Sequence, residues 1–273
     1  MDEDGAGNDG VLAVPAFTTQ QFLLGDCALE AKLRPALSQE EVGPDVHWFW
    51  QTHPRITFTK GLTLGSVILD FGAGNGSFYS CKTDYLPQRL DQKYYALDLF
   101  RGEHFNGYDD HQVANFETEN LKWGDASLDG VLASHVLEHL HDTRRFFDEC
   151  LRVLKPGGSL YVETPAAFTG GLPTSDKLRN QGLPMIASNF FEDDTHVRTI
   201  SNELIAATAT LAGFSIQQQG VIRSDYFGDA LIQYAQMVDD VIYGMFGYWA
   251  KTGWAQYLIL RKPDSFDRYI RDL

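Results

Sequence analysis

The chain has 273 residues, 44% hydrophobic and 22% charged, enough to bury a real core in one large α/β domain or two small ones. A formal net charge of -15 with no run of Lys or Arg argues against a nucleic-acid partner, because a phosphate backbone demands a basic footprint. The acidic, Gly-rich start MDEDGAGNDG does not read as a secretory signal, and no apolar stretch approaches a membrane span; Cys27, Cys81 and Cys150 form neither a zinc spacing nor a disulfide framework, so the cytoplasm is the expected compartment.

Residues 1–15 read as a flexible tail and 16–273 as a single domain. Within residues 20–62, CALEAKLRPAL reads as a short helix and VHWFWQTHPRITF packs many aromatics into a few positions. This segment is either an extra layer on the core or a cap over a pocket. A rhythm of apolar strand, turn and amphipathic helix follows. Strands are expected at 66–71, 94–99, 128–134, 159–164, 214–221 and 254–261. A helix is expected over 141–154, with Phe146, Phe147, Cys150, Leu151 and Leu154 on one face, stopped by Lys155-Pro156-Gly157-Gly158. Ser201 is expected to cap a helix that runs through Leu211 to Gly213. Strands alternating with helices mean a parallel sheet covered on both faces, with ligands at the carboxyl ends of the strands. Residues 168–189 and 225–250 read as insertions; the second is core packing, a homodimer face or a pocket lid.

The most informative string is VILDFGAGNGSF at 67–78, a buried strand that ends in Asp70 and breaks into Gly72-x-Gly74-x-Gly76 before an expected helix. Glycines there permit a tight turn and close backbone approach, and a helix N-terminus offers free N–H groups. A dinucleotide site reads G-x-G-x-x-G instead. An acid beside the turn repels a pyrophosphate but suits the cationic amino-acid end of a sulfonium cofactor. Asp98, ending the YYALDL strand, is placed to accept both hydroxyls of a ribose, in either kind of nucleoside cofactor.

The order and content of these elements resemble the class I S-adenosylmethionine-dependent methyltransferases, especially their small-molecule branch. Residues 67–76 match that family's first motif, Asp98 its ribose-binding acid, LDGVLASHVLEHL at 128–140 its fourth-strand signature, and LRVLKPGGSLYVET at 151–164 the helix-turn-strand that follows. The resemblance covers about 67–261. It implies a Rossmann-like, doubly wound, mostly parallel seven-stranded sheet with helices on both faces, and S-adenosyl-L-methionine as cofactor. It implies that Asp70, Gly72, Ala73, Gly74, Gly76, Asp98 and Leu99 hold that cofactor, with Asn115 and Phe116 at the adenine and Ser134 and His135 near the methionine end. Asn115 departs from the family's usual Asp; its amide oxygen can still accept a hydrogen bond, without charge. Glu138 and His139 match the family's pattern but read as helix-start structure.

The resemblance further implies methyl transfer to a small-molecule acceptor, with a hydroxyl (O-methylation) the expected target, although O-, N- and C-methylation are not separable from sequence. An oxygen acceptor of high pKa needs a base. His135 is the first candidate by position, weighed against a simple cofactor contact; His196, in a DDTHVR loop similar to loops on the substrate side in related enzymes, is the second, weighed against loop structure. Arg55, Trp50 and Arg198 are the expected acceptor contacts, although the aromatics of HWFWQTHPR would also serve as packing on the sheet. No group of His, Cys, Asp or Glu has metal-ligand spacing, so metal-independent transfer is expected. Two other functions compete: a non-catalytic module that binds S-adenosylmethionine or S-adenosylhomocysteine, and an NAD-dependent oxidoreductase.

Overall fold

The computed structural model describes residues 39–264. The expected tail at 1–15, the helix expected from CALEAKLRPAL, Cys27 and residues 265–273 lie outside the described residues.

Seven strands form one sheet among the described residues: β1 (Val67–Phe71), β2 (Lys93–Asp98), β3 (Asp110–Val113), β4 (Leu128–Ser134), β5 (Leu154–Pro165), β6 (Ser215–Ile222) and β7 (Ala255–Arg261). Their order is β3-β2-β1-β4-β5-β7-β6. β1 to β5 pair in parallel, and β7 alone runs antiparallel between β5 and β6. The sheet is therefore mostly parallel and Rossmann-like. Successive side chains of a strand point to opposite faces, so Leu69 and Phe71 of β1 join one core cluster and Ile68 another. The apolar run VILDF is what a strand buried on both faces requires. The direction of winding reverses between β1 and β4, which opens a crevice at the carboxyl ends of β1, β2 and β4.

Helices cover both faces. α1 (Gln39–Thr52) and α2 (Pro54–Gly61) precede the sheet, and Ile56 and Phe58 of α2 pack with Ile68, Tyr94, Leu132 and Tyr161 on one face. The short α3 (Cys81–Asp84) follows β1. α4 (Thr143–Val153), beyond the Asp142 cap, covers the other face through Phe146, Phe147, Cys150 and Val153. α5 (Ser175–Arg179) lies in the 168–189 excursion, and α6 (Asn202–Ala212) joins α4 through Ile205 and Ala209. Ser201 caps α6 as the sequence suggests, and Gly213 ends it in the left-handed conformation. α7 (Asp225–Val238) and α8 (Val241–Thr252) form a helical hairpin. They cross closely at Gly228 and Gly247, where a methyl group on Gly247 would stand 2.8 Å from the Ile232 nitrogen. Val46 and Phe49 of α1 pack on Ala230, Leu231 and Ala250, so the aromatic N-terminal segment and residues 225–250 form one helical layer.

Two local expectations are corrected. The helix expected after the glycine turn shrinks to a 3-10 turn at Phe78–Ser80 and the single turn of α3, because Tyr85 is extended and Leu86 precedes Pro87, where helical backbone is disfavoured. The helix over 141–154 gives way at Leu154, which is already extended and paired with Leu128; Lys155-Pro156-Gly157-Gly158 lies inside β5, where Gly157 donates to Lys262. β3 is the strand that the sequence reading did not name. No helix among the described residues is long and apolar enough to cross a membrane.

Candidate functional site

β1 ends at Phe71, and the chain turns through Gly72, Gly74 and Gly76 at φ of 78°, 56° and 84°. A side chain is strained there, and at Gly76 it is also blocked: a Cβ would lie 2.5 Å from Phe105 Cδ1. Gly76→Ala should therefore cost about 2–3 kcal/mol in urea unfolding; a loss below about 1 kcal/mol would mean that the loop relaxes freely.

The loop's N–H groups are largely engaged within the protein. Gly72 and Ala73 donate to Leu97 O (2.8 and 3.0 Å), Gly76 donates to Ala73 O (2.9 Å), and Gly74 donates to Asp98 Oδ2 (2.7 Å). Backbone so engaged, beside the carboxylates of Asp70 and Asp98, is no cradle for a pyrophosphate. It suits a nucleoside whose charged end is cationic. Asp98 stands at the carboxyl end of β2, half-buried, with Leu99 exposed beside it. Asp70 lies deeper, buried, and accepts a hydrogen bond from the Tyr108 hydroxyl. Burial raises its pKa to about 6, against the pull of the Tyr108 hydrogen bond and of Arg55.

Asn115 is exposed, and its Oδ1 accepts from Glu117 N (3.0 Å) in a local turn. Phe116 is buried, packed edge-on against Phe71 and Phe146 beneath the Arg145 guanidinium, so its ring is a core element. Ser134 ends β4, and its Oγ is buried without a partner in the protein. That orphaned hydroxyl and the open space where a Cβ on Gly74 would stand fit a ligand laid across the carboxyl edge of the sheet.

Next to Ser134 lies a buried ionic network. Glu163, inward-facing on β5, accepts from Arg55 Nη2 (2.7 Å), His135 Nε2 (3.0 Å) and the Tyr161 hydroxyl (2.5 Å). Nδ1 of His135 lies 3.3 Å from Glu138 Oε1. Burial alone would lower the pKa of His135, but the hydrogen bonds to Glu138 and Glu163 outweigh it and raise it to about 9. With a carboxylate at each ring nitrogen, His135 is an imidazolium at neutral pH, and the expectation that it acts as a base is corrected on that ground. Its ring lies against Trp249 and Trp254, stacked on each other at 3.8 Å. Trp50 meets the edge of Phe246, which in turn meets Trp249, so the expected aromatic wall continues to His135. Arg55 is tied to Glu163 rather than open to an acceptor. Arg198 bonds His141 O (3.3 Å) and Thr143 Oγ1 (3.5 Å) at the start of α4, where it lines an apolar recess with Leu137, Phe147 and Leu204 instead of joining Arg55.

His196 donates from Nδ1 to Phe190 O (2.6 Å), which leaves the Nε2 lone pair free in the neutral ring. The fold brings it to Glu138 and His139, with the ligand atoms of the three side chains within 4.8 Å of one another. Linear spacing does not show this group, because the fold brings His196 to Glu138 and His139 from a distant loop. Glu163 was missed as well, although an acid inside the apolar strand SLYVET is itself a signal, since such a group is buried only with partners.

Residues 69–162 match a methyltransferase domain family. The chain carries a class I S-adenosylmethionine-dependent methyltransferase domain. S-adenosylmethionine is the cofactor of this domain, and Asp98, the glycine turn and Ser134 fit it. A mitochondrial ubiquinone biosynthesis O-methyltransferase of Rattus norvegicus is 32% identical over 112 residues, covering 37% of this chain and 31% of the relative. A ubiquinone biosynthesis O-methyltransferase of Xanthomonas oryzae pv. oryzae is 28% identical over 116 residues, covering 38% and 46%. The chain thus spans less than half the length of these relatives. An S-adenosylmethionine-dependent methyltransferase structure from Mesorhizobium loti superposes with a TM-score of 0.54 at 16% identity, covering 81% of this chain and all of that one, a likeness of fold.

Proposed function

We propose that the chain is a methyltransferase that moves the methyl group of S-adenosylmethionine to a hydroxyl of a small-molecule acceptor. One observation carries the reading: a glycine turn whose N–H groups are engaged in the protein and whose Gly74 is bonded to the Asp98 carboxylate, beside the unpartnered Ser134 hydroxyl. When bound, the cofactor supplies an electrophilic methyl carbon on a sulfonium.

Asp98 holds the glycine turn and offers its remaining lone pairs to a ribose. Asp70 supplies negative charge from beneath the turn. The imidazolium of His135, with both N–H groups held by Glu138 and Glu163, lies under the two tryptophans at the carboxyl end of β4 and positions that end of the strand. Of the two expected bases, His196 is the one that keeps a free lone pair. A hydroxyl acceptor is favoured by the O-methyltransferase relatives, and the net charge of -15 disfavours a nucleic acid. A single domain in the cytoplasm belongs to the same reading.

Isothermal titration with S-adenosylmethionine and S-adenosylhomocysteine tests it. Asp98→Ala should weaken both roughly 10- to 100-fold, since charge-assisted hydrogen bonds at about 1.5–3 kcal/mol each are partly lost. Unchanged affinity would remove Asp98 from the ribose site. Release of S-adenosylhomocysteine with a hydroxylated acceptor separates an enzyme from a binding module.

A further inference from the structure

We infer that Glu138, His139 and His196 form a binding site for a first-row divalent cation at the carboxyl edge of the sheet. Their ligand atoms lie within 4.8 Å of one another, against about 3.4 Å between ligands in a tetrahedral site with bonds near 2.1 Å, so small side-chain rotations complete it.

Two independent observations point to a ligand there. Glu138 is 1% exposed, and its Oε2 is buried with no hydrogen-bond partner, while Oε1 meets His135. A carboxylate oxygen left alone in the interior is costly, and a cation removes the cost. The second is the tautomer of each histidine. His196 donates from Nδ1 to a backbone carbonyl. His139 Nδ1 lies 2.9 Å from Thr195 Oγ1 and 3.3 Å from Thr195 O; the threonine's own proton goes to Asp193 Oδ1 (2.5 Å), so His139 is the donor. Both rings therefore hold Nδ1–H to oxygen acceptors and leave Nε2 as a lone pair. Backbone and hydroxyl partners fix metal-binding histidines in this way. The ring centroids are 4.8 Å apart, and Asp193 Oδ2, 3.8 Å from His196 Nε2, adds negative charge nearby.

Two imidazoles and one carboxylate are a donor set for Zn²⁺ or a similar ion, with coordination positions left open for water or an oxygen ligand. On the methyl-transfer reading, on which this consequence rests, an acceptor hydroxyl at an open position would be acidified by the cation and give up its proton to water, so that no side-chain base is required and His196 serves as a ligand instead.

The test uses protein stripped with chelator and titrated with Co²⁺, followed by its visible absorption and by calorimetry, with Zn²⁺ as competitor. S-adenosylhomocysteine affinity and circular dichroism are measured on the same samples. Saturable Co²⁺ binding, displaced by Zn²⁺ and weakened at least about tenfold in His139→Ala, His196→Ala and Glu138→Gln, is the expected result. Should Glu138→Gln fail to fold, the two histidine variants carry the test. No saturable uptake by the unaltered protein, or uptake unchanged in the double histidine variant, overturns the cation site. If S-adenosylhomocysteine still binds in that case, the cofactor reading stands; loss of S-adenosylhomocysteine binding with Co²⁺ binding intact strikes the cofactor reading alone.

Discussion

Replacing Glu163 by alanine should lower stability by about 3–5 kcal/mol, the cost of removing one partner from a buried ion pair. Glu163 is 1% exposed and meets two cationic groups, Arg55 and the imidazolium of His135, together with the Tyr161 hydroxyl. Burial by itself would raise its pKa; Arg55 and the His135 hydrogen bond instead hold it well below the usual carboxylate range. Without the carboxylate, Arg55 keeps a buried positive charge, and its Nε already lacks a partner. A thermal midpoint about 10 °C lower would accompany the loss. Glu163→Gln keeps polar atoms in place but not the charge, so it should fall between the wild type and the alanine variant. Urea unfolding of all three gives the order. A loss below about 1 kcal/mol for Glu163→Ala would mean that water screens the network. The same network ties α2 to β5 and His135 to both, so the alanine variant should also bind cofactor less tightly than its folded fraction accounts for.

How much of this was legible in the sequence depends on the range of the contact. The glycine turn, Asp98 and six of the seven strands follow from local pattern, because a strand buried on both faces must be apolar and a turn at positive φ must be glycine. β3 escaped because DHQV has no apolar alternation; it is held by backbone pairing to β2. The reversed direction of β7 is set by its neighbours and has no signature in WAQYLILR. Phe116 sits at the position expected for an adenine contact, yet its ring packs between Phe71 and Phe146, which a motif match cannot distinguish. The ionic network and the Glu138–His139–His196 group were hidden for one reason: each joins residues from distant elements. A histidine's role is fixed by its hydrogen-bond partners, and those of His135 turned an expected base into a cation.

Two buried groups should give the protein a stepped response to acid. His53 accepts a hydrogen bond from Arg55 N at the start of α2, and burial lowers its pKa from 6.5 to about 3. The unfolded chain therefore takes up a proton below pH 6.5 that the folded chain refuses. Stability present above pH 6.5 is lost as pH falls toward 3, in all about 5 kcal/mol at about 1.4 kcal/mol per pH unit. Asp70 acts in the opposite sense. With its pKa raised from 3.8 to about 6, the folded chain binds a proton between these values that the unfolded chain does not. It adds about 3 kcal/mol as pH falls from 6 to 4. The two slopes cancel over that window, and below pH 4 His53 acts unopposed. Asp70→Asn removes the compensation, so that variant should lose stability steadily from pH 6.5 downward. His53→Asn keeps a capping oxygen without the titration and should gain stability from pH 6 to 4. Other carboxylates contribute equally to each protein and cancel when each variant is compared with the wild type. Urea unfolding at pH 7.5, 6, 5 and 4 reads the slopes. If His53→Asn and the wild type ran parallel between pH 6 and 4, the buried imidazole would not control the acid response. Parallel curves for Asp70→Asn would mean that the carboxyl beneath the glycine turn titrates as it does in water.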